Sequence, residues 1–404
     1  MQDIFSRDVL GASDEIPLAA LALARKRSAA GLLAEIEQAG LVGKGGACYP
    51  TFRKVALMQR QPSVQRCLVV NGSEHEPGSL KDRHLLENYS STVIEGALIM
   101  AHAVGATDVL FSINEHAAST MAAFAAALER TRAAGCFGHN EVALRAAMVA
   151  VPDAYIVGEE TALIRALQGQ PALPAKRPPF PIESGVGGAP TLVQNVETVA
   201  HLPYIIKFGA AAYRALGAGD GGVTLCTFGA EFARSGVRLV PLGVTLRDIV
   251  EQHGGGLRGG LRIKAVQPGG PSAGFLPASA LDVKFDDASL KRAGSALGCA
   301  AIRAFSDEDD MVRVVAEQMA FFAAASCGQC PACRMTTQML SAITKQILAG
   351  RGTPALLRQV PVLVERNAGK GICGFLKMPG PPMMSVLRHF PAELDRYLQK
   401  QPIN

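Results

Sequence analysis

The sequence contains no tryptophan, and aromatic residues make up only 5% of its 404 positions. Stacking surfaces built from aromatic side chains must therefore be few. No segment approaches the roughly 18 uncharged apolar residues that a membrane-spanning helix needs. The opening residues, MQDIFSRDVLGASDEIP, also lack the apolar core of a secretion signal. The sequence thus predicts a cytoplasmic protein, whose contact with any membrane would come through a larger complex.

The chain also has little excess of either charge sign. The 40 basic and 35 acidic residues leave a net charge of +5, with no long basic run, so nucleic acid is not the expected partner. Nine cysteines without an export signal do not predict a disulfide framework, because the cytosol keeps thiols reduced. Five of the nine are scattered along the chain, at Cys48, Cys67, Cys136, Cys226 and Cys299.

The other four cysteines carry the strongest signal. Cys327, Cys330 and Cys333 lie within seven residues in SCGQCPACR, and Cys373 follows 40 positions later in GKGICGFL. A tight triplet suits a four-iron cubane, in which each thiolate binds a different iron. Structural zinc prefers two separated pairs and is the alternative, beside four unrelated thiols. The spacing predicts one [4Fe–4S] cluster held by these four residues.

The chain divides into three predicted regions. Residues 17–40 predict one helix, and strands alternate with helices from 66 to 169, which is typical of an α/β layer structure. The proline- and glycine-rich segment 171–190 is longer than a simple connecting loop, and loops of this length are usually functional or disordered. Short strands with glycine turns begin near Gly222, and Ser306 is predicted to cap the first helix of a helical remainder. The predicted domains are 1–220, 221–304 and 305–404.

A glycine-rich turn, Gly43-Lys44-Gly45-Gly46, follows the first predicted helix. Glycines permit a phosphate to approach the backbone, and Lys44 adds positive charge. The turn lacks the spacing of a dinucleotide fingerprint, so a purely structural turn is the alternative.

Two acidic pairs follow predicted strands. Glu74 and Glu76 could bind ribityl or ribose hydroxyls, or could belong to a solvated turn. Glu159 and Glu160 open a helix, where carboxylates are favoured by the helix dipole whatever their function. Neither pair is specific alone.

In this order, however, the motifs are specific. GKGGACYPT is similar to GRGGAGFPT, NGSEHEPGSLKDR to NADExEPGxxKDR, and YIVGEETALIRALQG to YICGEETALxxxLEG. RPPFPIESGVGGAPTLVQNVETVA is similar to KPPFPxxxGxxxxPTxxNNVET, and the cysteine set matches as well. From about Glu35 onward the chain resembles the NADH-binding flavoprotein subunit of respiratory complex I and its diaphorase-type relatives in NAD-linked hydrogenases and formate dehydrogenases.

The resemblance implies a Rossmann-like flavin domain, a ubiquitin-like α+β module of the β-grasp type and a C-terminal helical bundle with the cluster. It implies FMN at Gly43, Lys44, Gly45, Gly46, Lys54, Asn71, Ser73, Glu74, Tyr155, Gly158, Glu159, Gln194 and Asn195. It implies NAD(H) or NADP(H) at Tyr49, Glu76, Glu160, Arg177 and Phe180.

The chain departs from the family pattern at several of these positions. Leu57 stands where an aromatic residue flanks the adenine, so stacking at that position would be weaker. The other departures are Lys44 for arginine, Tyr49 for phenylalanine, Ser73 for aspartate, Arg177 for lysine and Gln194 for asparagine. The NGSEHEP stretch also resembles the flavin-loop subunit of ion-translocating ferredoxin:NAD oxidoreductases, whose cysteine pattern differs.

These features predict hydride transfer from NAD(P)H to FMN, followed by single-electron transfer to the cluster and to a partner. No side chain is expected to act as acid or base. The expected partners are a small [2Fe–2S] subunit and a larger redox subunit or complex. One alternative exchanges electrons with ferredoxin and has little NADH activity, and another retains the cluster without flavin.

Overall fold

A computed structural model of the chain describes residues 3–10, 18–139 and 142–399. Within those ranges, the first region combines six strands with eleven helices. The strands are β1 (Cys67–Gly72), β2 (Asp108–Asn114), β3 (Gly138–His139), β4 (Val142–Ala143), β5 (Arg145–Val151) and β6 (Thr191–Asn195). The helices are α1 (Arg7–Leu10), α2 (Ala19–Ala24), α3 (Ala29–Gln38), α4 (Thr51–Gln59), α5 (Lys81–Asn88), α6 (Ser90–Val104), α7 (Ala118–Ala133), α8 (Glu160–Leu167), α9 (Val196–Ala200), α10 (Leu202–Phe208) and α11 (Ala210–Arg214).

A parallel sheet of four strands, in the order β5-β2-β1-β6, organises this region. Strand β1 lies inside the sheet and is almost wholly buried, as expected where helices cover both faces. The chain winds to one side of β1 through β2 and β5, and to the other side at β6. Parallel sheets bind ligands beyond the carboxyl ends of strands at such a switch point. Asn71 and Asn195 lie opposite each other at this edge.

Two local expectations in the first region are wrong. The helix predicted over 17–40 is two helices, α2 and α3, because the Ser28 hydroxyl accepts a hydrogen bond from the Gly31 amide and begins a new helix. Residue 17 itself lies outside the described ranges. The short strand predicted at Tyr155 is a 3₁₀ turn, Tyr155–Gly158, that leads directly into α8.

The second region is a mixed sheet of five strands in the order β10-β9-β11-β7-β8. Its strands are β7 (Val223–Phe228), β8 (Gly236–Pro241), β9 (Ile263–Gln267), β10 (Leu276–Pro277) and β11 (Ala301–Ser306), and its helices are α12 (Leu246–Asp248) and α13 (Asp287–Arg292). Strands β7 and β8 form an antiparallel hairpin, and β11 runs parallel to β7 but antiparallel to β9. Strand β11 ends at Ser306, two residues beyond the predicted boundary.

The third region is helical, with α14 (Met311–Ala325), α15 (Pro331–Gln346), α16 (Pro354–Asn367), α17 (Gly380–His389) and α18 (Pro391–Asp395). The cap predicted at Ser306 is wrong: Asp310 caps α14, because its carboxylate accepts from the Val312 and Arg313 amides. The buried face of α14 contains Val312, Val315, Met319 and Phe322. Among the described residues, no helix combines the length and apolar character needed to cross a bilayer.

Candidate functional site

All four predicted cluster cysteines line one pocket. Cys327 and Cys330 come from the turn between α14 and α15, Cys333 from the first turn of α15, and Cys373 from the loop after α16. Phe375 and Leu376 complete an apolar wall, with Gly328 and Gly371 at the turns. The Ile372 amide donates to the Cys330 sulfur at 3.4 Å. Two distant loops therefore present their sulfurs to one cavity.

The arrangement fits a cluster better than a single ion. Within the described residues, no three His, Cys, Asp or Glu side chains are grouped to hold one metal ion. A zinc site needs four ligands at about 2.0–2.3 Å from one centre, whereas a cubane is bound at its corners by thiolates spread around it. Burial raises the pKa of the Cys373 thiol to about 11. A bound iron would favour the thiolate form of such a ligand.

The glycine loop closes on itself and packs on the end of β6. The Gly43 amide donates to the Tyr49 carbonyl at 2.8 Å. A Cβ at Gly45 would stand 3.3 Å from the Asn195 Cβ, and Gly46 has φ +104°, which side chains rarely adopt. The loop backbone is thereby held over the switch point of the sheet.

Lys44 is placed differently from the expectation that it adds charge beside a phosphate. Its side chain is buried, and its ammonium donates to the Val223 carbonyl at 2.9 Å. Its amide donates to the Thr198 hydroxyl at 2.9 Å. Burial lowers the pKa of the Lys44 ammonium. The residue joins the glycine loop to β7, and the predicted phosphate contact of its side chain has no support in this arrangement.

Asn195 is also committed to the interior. Its Oδ1 accepts from the Lys81 ammonium at 3.0 Å and from the Glu197 amide at 3.0 Å. Its Nδ2 donates to Asp82 at 2.6 Å and to the Asn71 carbonyl at 3.3 Å. With both ends of the amide occupied, Asn195 ties β6 to β1 and α5, and only its backbone remains for a ligand.

Lys81 lies at the centre of a buried ionic network that the sequence did not single out. Its ammonium contacts Asp82 at 2.7 Å and Glu197 at 3.2 Å. Burial works against the Lys81 charge, but these carboxylates outweigh it and raise the pKa of Lys81. Burial likewise opposes the Glu197 carboxylate, but Lys81 and neighbouring donors hold the pKa of Glu197 below its usual range. The sequence contained a clue to this network, since Lys81 lies in the KDR motif and Glu197 in the VET motif.

Glu197 connects this network to the second sheet. Its Oε1 accepts from the Thr224 hydroxyl at 2.9 Å and from the Leu225 amide at 2.8 Å, both on β7. His201, one helical turn later, places Nε2 3.4 Å from the same oxygen. The ion pairs below the switch point thus hold the two sheets together.

Glu74 serves the backbone around it. Its carboxylate accepts from the Ser79 hydroxyl at 2.8 Å, the Asp82 amide at 2.8 Å and the Arg83 amide at 2.9 Å, at the start of α5. Burial, with the nearby Asp82 charge, raises the pKa of Glu74 to about 7. The side chain is neither the solvated turn considered as an alternative nor free to face a cofactor.

Ser73 and Asn71 are likewise engaged at the end of β1. Ser73 is buried, with its hydroxyl 3.4 Å from the Ser112 hydroxyl. Its amide donates to Asn71 Oδ1 at 3.1 Å.

Glu76 and Tyr155 form the inner wall of the open side. The Tyr155 hydroxyl donates to Glu76 Oε2 at 2.7 Å. Burial raises the pKa of Glu76 to about 7, although the Tyr155 hydrogen bond acts in the opposite direction. The second sheet approaches here too, since a Cβ at Gly270 would stand 2.7 Å from Glu76 Oε1.

Three residues predicted for cofactor or nucleotide have a buried polar atom without a hydrogen-bond partner. These atoms are Glu76 Oε1, Arg177 Nε and Gln194 Nε2. Buried polar groups are nearly always satisfied, so each atom calls for a ligand or water. An unpaired donor such as Gln194 Nε2 suits an acceptor atom of FMN, and an unpaired acceptor with a further donor suits the polar groups of a nicotinamide nucleotide. The residues present therefore fit both groups.

An outer group of charges surrounds the entrance. Glu159 caps α8, accepting from the Thr161 amide at 2.9 Å, and pairs with Arg177 at 2.5 Å. Glu160 pairs with Arg177 at 3.1 Å and with the Lys54 ammonium at 3.2 Å. Two bases thus offset two acids, and the helix-start alternative applies to both carboxylates, since Glu159 caps α8 and Glu160 lies in its first turn.

Exposed apolar side chains border the charges. Tyr49, Leu57 and Phe180 are exposed, and the Arg177 guanidinium lies 5.9 Å from the centre of the Phe180 ring. An added Cβ at Gly158 would meet no atom within 4 Å, so open space lies beside that position.

Tyr155 joins this site to the cysteine pocket. Its ring packs edge-on against Phe375, with centroids 5.7 Å apart, and against Phe321 at 5.2 Å. Phe375 also lines the cysteine pocket. The amide of Gln329, in the cysteine loop, donates to the Pro174 carbonyl at 3.1 Å. One layer of aromatic rings therefore lies between the Glu76 side of the site and the cysteine pocket.

Two protein-family models match parts of this chain. Residues 36–204 match the Nuo51 FMN-binding domain, and residues 313–397 match the iron–sulfur binding region of NADH-ubiquinone oxidoreductase-F. The F subunit of the NADH-quinone oxidoreductase of Salmonella typhimurium is 35% identical over 381 residues, covering 92% of this chain and 85% of the relative. The Escherichia coli protein of the same name is 35% identical over 378 residues, covering 92% and 84%.

Solved structures are similar as well. A chain of an NAD+-reducing [NiFe]-hydrogenase in the H2-reduced state superposes with a TM-score of 0.86 at 32% identity over 94% of this chain. This protein spans 64% of that hydrogenase chain. The air-oxidised state gives a TM-score of 0.86 at 31% identity, covering 100% of this chain and 68% of that one.

Proposed function

The chain belongs to the family of NADH-quinone oxidoreductase F subunits, and from this premise we propose that it oxidises NAD(P)H and delivers single electrons to a partner redox subunit. When bound, FMN supplies hydride acceptance and one-electron release, and a [4Fe–4S] cluster supplies one-electron relay. The remaining chemistry is binding, orientation and exclusion of water by the residues described above.

FMN would lie over the carboxyl ends of β1 and β6. Gln194 Nε2 would donate to it, and the backbone of Gly43, Gly45 and Gly46 would lie against it. Asn71, Ser73, Glu74, Asn195 and Lys44 would support the pocket from within, since their side chains are bonded to the protein. Lys54, Tyr155, Gly158 and Glu159 would form its border. No acid or base is needed for hydride transfer.

The nicotinamide nucleotide would enter from the open side. Glu76 Oε1 would accept a hydrogen bond from it, with Tyr155 holding the other carboxyl oxygen at 2.7 Å. Phe180 and Tyr49 would offer ring faces, and Arg177 and Glu160 would meet the polar part of the nucleotide. Phe180 and Tyr49 are exposed, so they would lose water contact on binding.

The observation that carries this proposal is the contact of Tyr155 with both Glu76 and the wall of the cysteine pocket. It bonds to Glu76 on the nucleotide side and packs on Phe375, which lines the cysteine pocket. A two-electron site and a one-electron site that share a wall suit the conversion of hydride into single electrons.

Anaerobic titration of the reconstituted protein with NADH, and separately with NADPH, tests it. Prompt loss of flavin absorbance followed by partial loss of cluster absorbance is expected with at least one nucleotide. No response to either would overturn the dehydrogenase proposal.

We further propose that the three regions are domains with the predicted boundaries, 1–220, 221–304 and 305–404. A ubiquitin-like identity for the second is supported by its strand order, with a parallel central pair, an antiparallel hairpin and a short helical crossover. Because its named relatives are subunits, this chain would act with partners, of which a small [2Fe–2S] subunit is one candidate.

A second candidate function keeps both cofactors but exchanges electrons mainly with ferredoxin. Leu57 favours it, because an exposed aliphatic side chain offers an adenine ring less than an aromatic one. Flavin bleaching by reduced ferredoxin alone would select it.

A further inference from the structure

The segment that carries the cysteines has a charge unlike the rest of the chain. Between Ser326 and Lys377 the sequence holds seven lysines and arginines but one acid, Glu365. The whole chain has a net charge of +5, so the remainder is close to neutral. All seven bases are exposed, and among the described residues none of them takes part in an ion pair.

These bases surround the cysteine pocket along the chain. Arg334 follows Cys333 directly, and Lys370 and Lys377 flank Cys373. Elsewhere some exposed bases are paired with acids, as Arg247 is with Asp282 at 2.8 Å, and others, such as Arg60 and Arg130, have no ion pair among the described residues. Unpaired charge of one sign around a redox centre raises the local concentration of carriers of opposite charge and their association rate.

The outer side of α15 adds an apolar surface to this charge. An open groove is lined by Pro331, Arg334, Met335, Gln338, Met339 and Ala342, which we call the outer face of α15. Met335 is 48% exposed and Met339 36%. These residues recur every three to four positions, so they share one side of the helix. The face begins at the residue after Cys330 and contains no acid.

We infer that the outer face of α15 is the docking surface for an acidic one-electron carrier protein, which exchanges electrons with the cluster. Methionines provide an adaptable apolar centre for such a contact, and Arg334 and Lys345 would pair with carboxylates of the carrier. Each exchange moves one electron, so the cluster is oxidised by one as the carrier is reduced by one, without proton transfer. This inference rests on the proposed function for the cluster, but not on the nucleotide.

Other anionic partners fit the face less well. Single-stranded nucleic acid needs aromatic platforms for its bases, and the outer face of α15 has no aromatic ring. A membrane-surface helix presents bulky residues such as Trp, Phe and Leu, and none is present on this face. The adjacent cysteine pocket gives an electron carrier a reason to bind here that neither alternative shares.

The test uses the full-length, cofactor-loaded protein reduced with dithionite, which bypasses the nucleotide. It is mixed with an acidic [2Fe–2S] ferredoxin, and separately with basic cytochrome c, at low and high salt. We expect saturable binding of the ferredoxin by calorimetry, with electron transfer slowed at least about tenfold by high salt.

Charge reversal supplies the specific readout. Arg334→Glu combined with Lys345→Glu should weaken ferredoxin binding at least about tenfold and abolish its salt dependence. Arg130→Glu, at an exposed position of α7 with no ion pair to any described residue, is the control matched in helix and exposure, and should change neither. Met335→Ser should weaken binding without altering the salt dependence.

Three results would overturn the inference. These are equal binding by the double variant and wild type, faster reaction with cytochrome c than with ferredoxin, and loss in the double variant of binding to anionic vesicles or single-stranded DNA with ferredoxin unaffected. Failure of NADH and NADPH to bleach the flavin, with ferredoxin binding intact, would contradict the dehydrogenase proposal alone.

Discussion

The two ends of the proposed electron path handle charge in opposite ways. Below the flavin edge, Lys81, Asp82 and Glu197 are buried and paired at 2.7–3.2 Å. Around the cysteines, the bases are exposed and no ion pair engages them among the described residues. Buried pairs are costly to break and insensitive to salt, whereas exposed charges contribute little to stability but steer partners. The buried charges of the first region stabilise the site, and the exposed bases of the last region would attract a partner protein.

The largest effect should come from removing one cluster ligand. Cys373→Ala takes away the only ligand that comes from outside the tight triplet, so we expect loss of most bound iron and sulfide with FMN retained. Iron analysis and absorbance spectra measure both. Cys136→Ser, at a scattered and half-exposed cysteine, should retain full iron. Undiminished iron in Cys373→Ala would show that Cys373 is not a ligand.

The contrast in charge itself can be broken by two matched substitutions. Lys81→Met leaves Asp82 and Glu197 buried without their cation, which should cost about 3–5 kcal/mol of unfolding free energy. Arg334→Met removes an exposed, unpaired base and should change stability by less than about 0.5 kcal/mol. Urea unfolding followed by circular dichroism measures both. Equal effects of the two substitutions would contradict the distinction between structural and docking charges.

These two ends also differ in how far sequence alone could describe them. The cysteine spacing alone predicted the four cluster ligands, because three of them are close together in the chain, and all four side chains line one pocket. The flavin edge was located through its motifs, but the orientation of each side chain was not. Lys44, Glu74 and Asn195 turn inward because their partners, such as Val223 and Ser79, are chosen by tertiary packing.

Secondary structure shows the same limit. The alternation of strands and helices between residues 66 and 169 was predicted correctly. Breaks that depend on one side chain, such as Ser28 or Asp310 acting as a helix cap, were missed because several polar residues nearby could serve equally. The network at Lys81 was missed because a lysine–aspartate pair is usually solvent-exposed.

A smaller effect should come from protonation of Glu76. Its pKa in the folded protein is about 7, above the value of an unfolded chain, because its carboxyl is buried. The folded state therefore binds more protons between about pH 4.5 and 7, so this group makes the protein less stable as pH rises through that window and adds no slope above it.

Glu76→Gln removes this dependence. The stability difference between wild type and Glu76→Gln, measured by urea unfolding at several pH values, should shift against the wild type from about pH 4.5 to 7. Tyr155→Phe removes the hydrogen bond that lowers the pKa of Glu76, and should extend the upper edge of this window to higher pH. A difference that does not vary with pH would show that the carboxyl is not desolvated.

The smallest effect concerns the proposed nucleotide entrance near Leu57, where stacking is expected to matter more than buried or exposed charge. Leu57 follows Lys54 by three positions on α4 and so lies on the same side of the helix, where the Lys54 ammonium reaches Glu160. Leu57 is 42% exposed and stands at the proposed adenine position.

Leu57→Tyr should restore a stacking face and tighten NADH binding by about 0.5–1.5 kcal/mol, or roughly 2- to 12-fold. Leu261→Tyr, at an equally exposed leucine of the second region, is the control and should leave the NADH dissociation constant unchanged. Unchanged affinity in Leu57→Tyr would place the adenine elsewhere. The paired bases and acids of Lys54, Arg177, Glu159 and Glu160 would then be the principal contacts at the entrance, and the first region would use charge for binding as well as for structure.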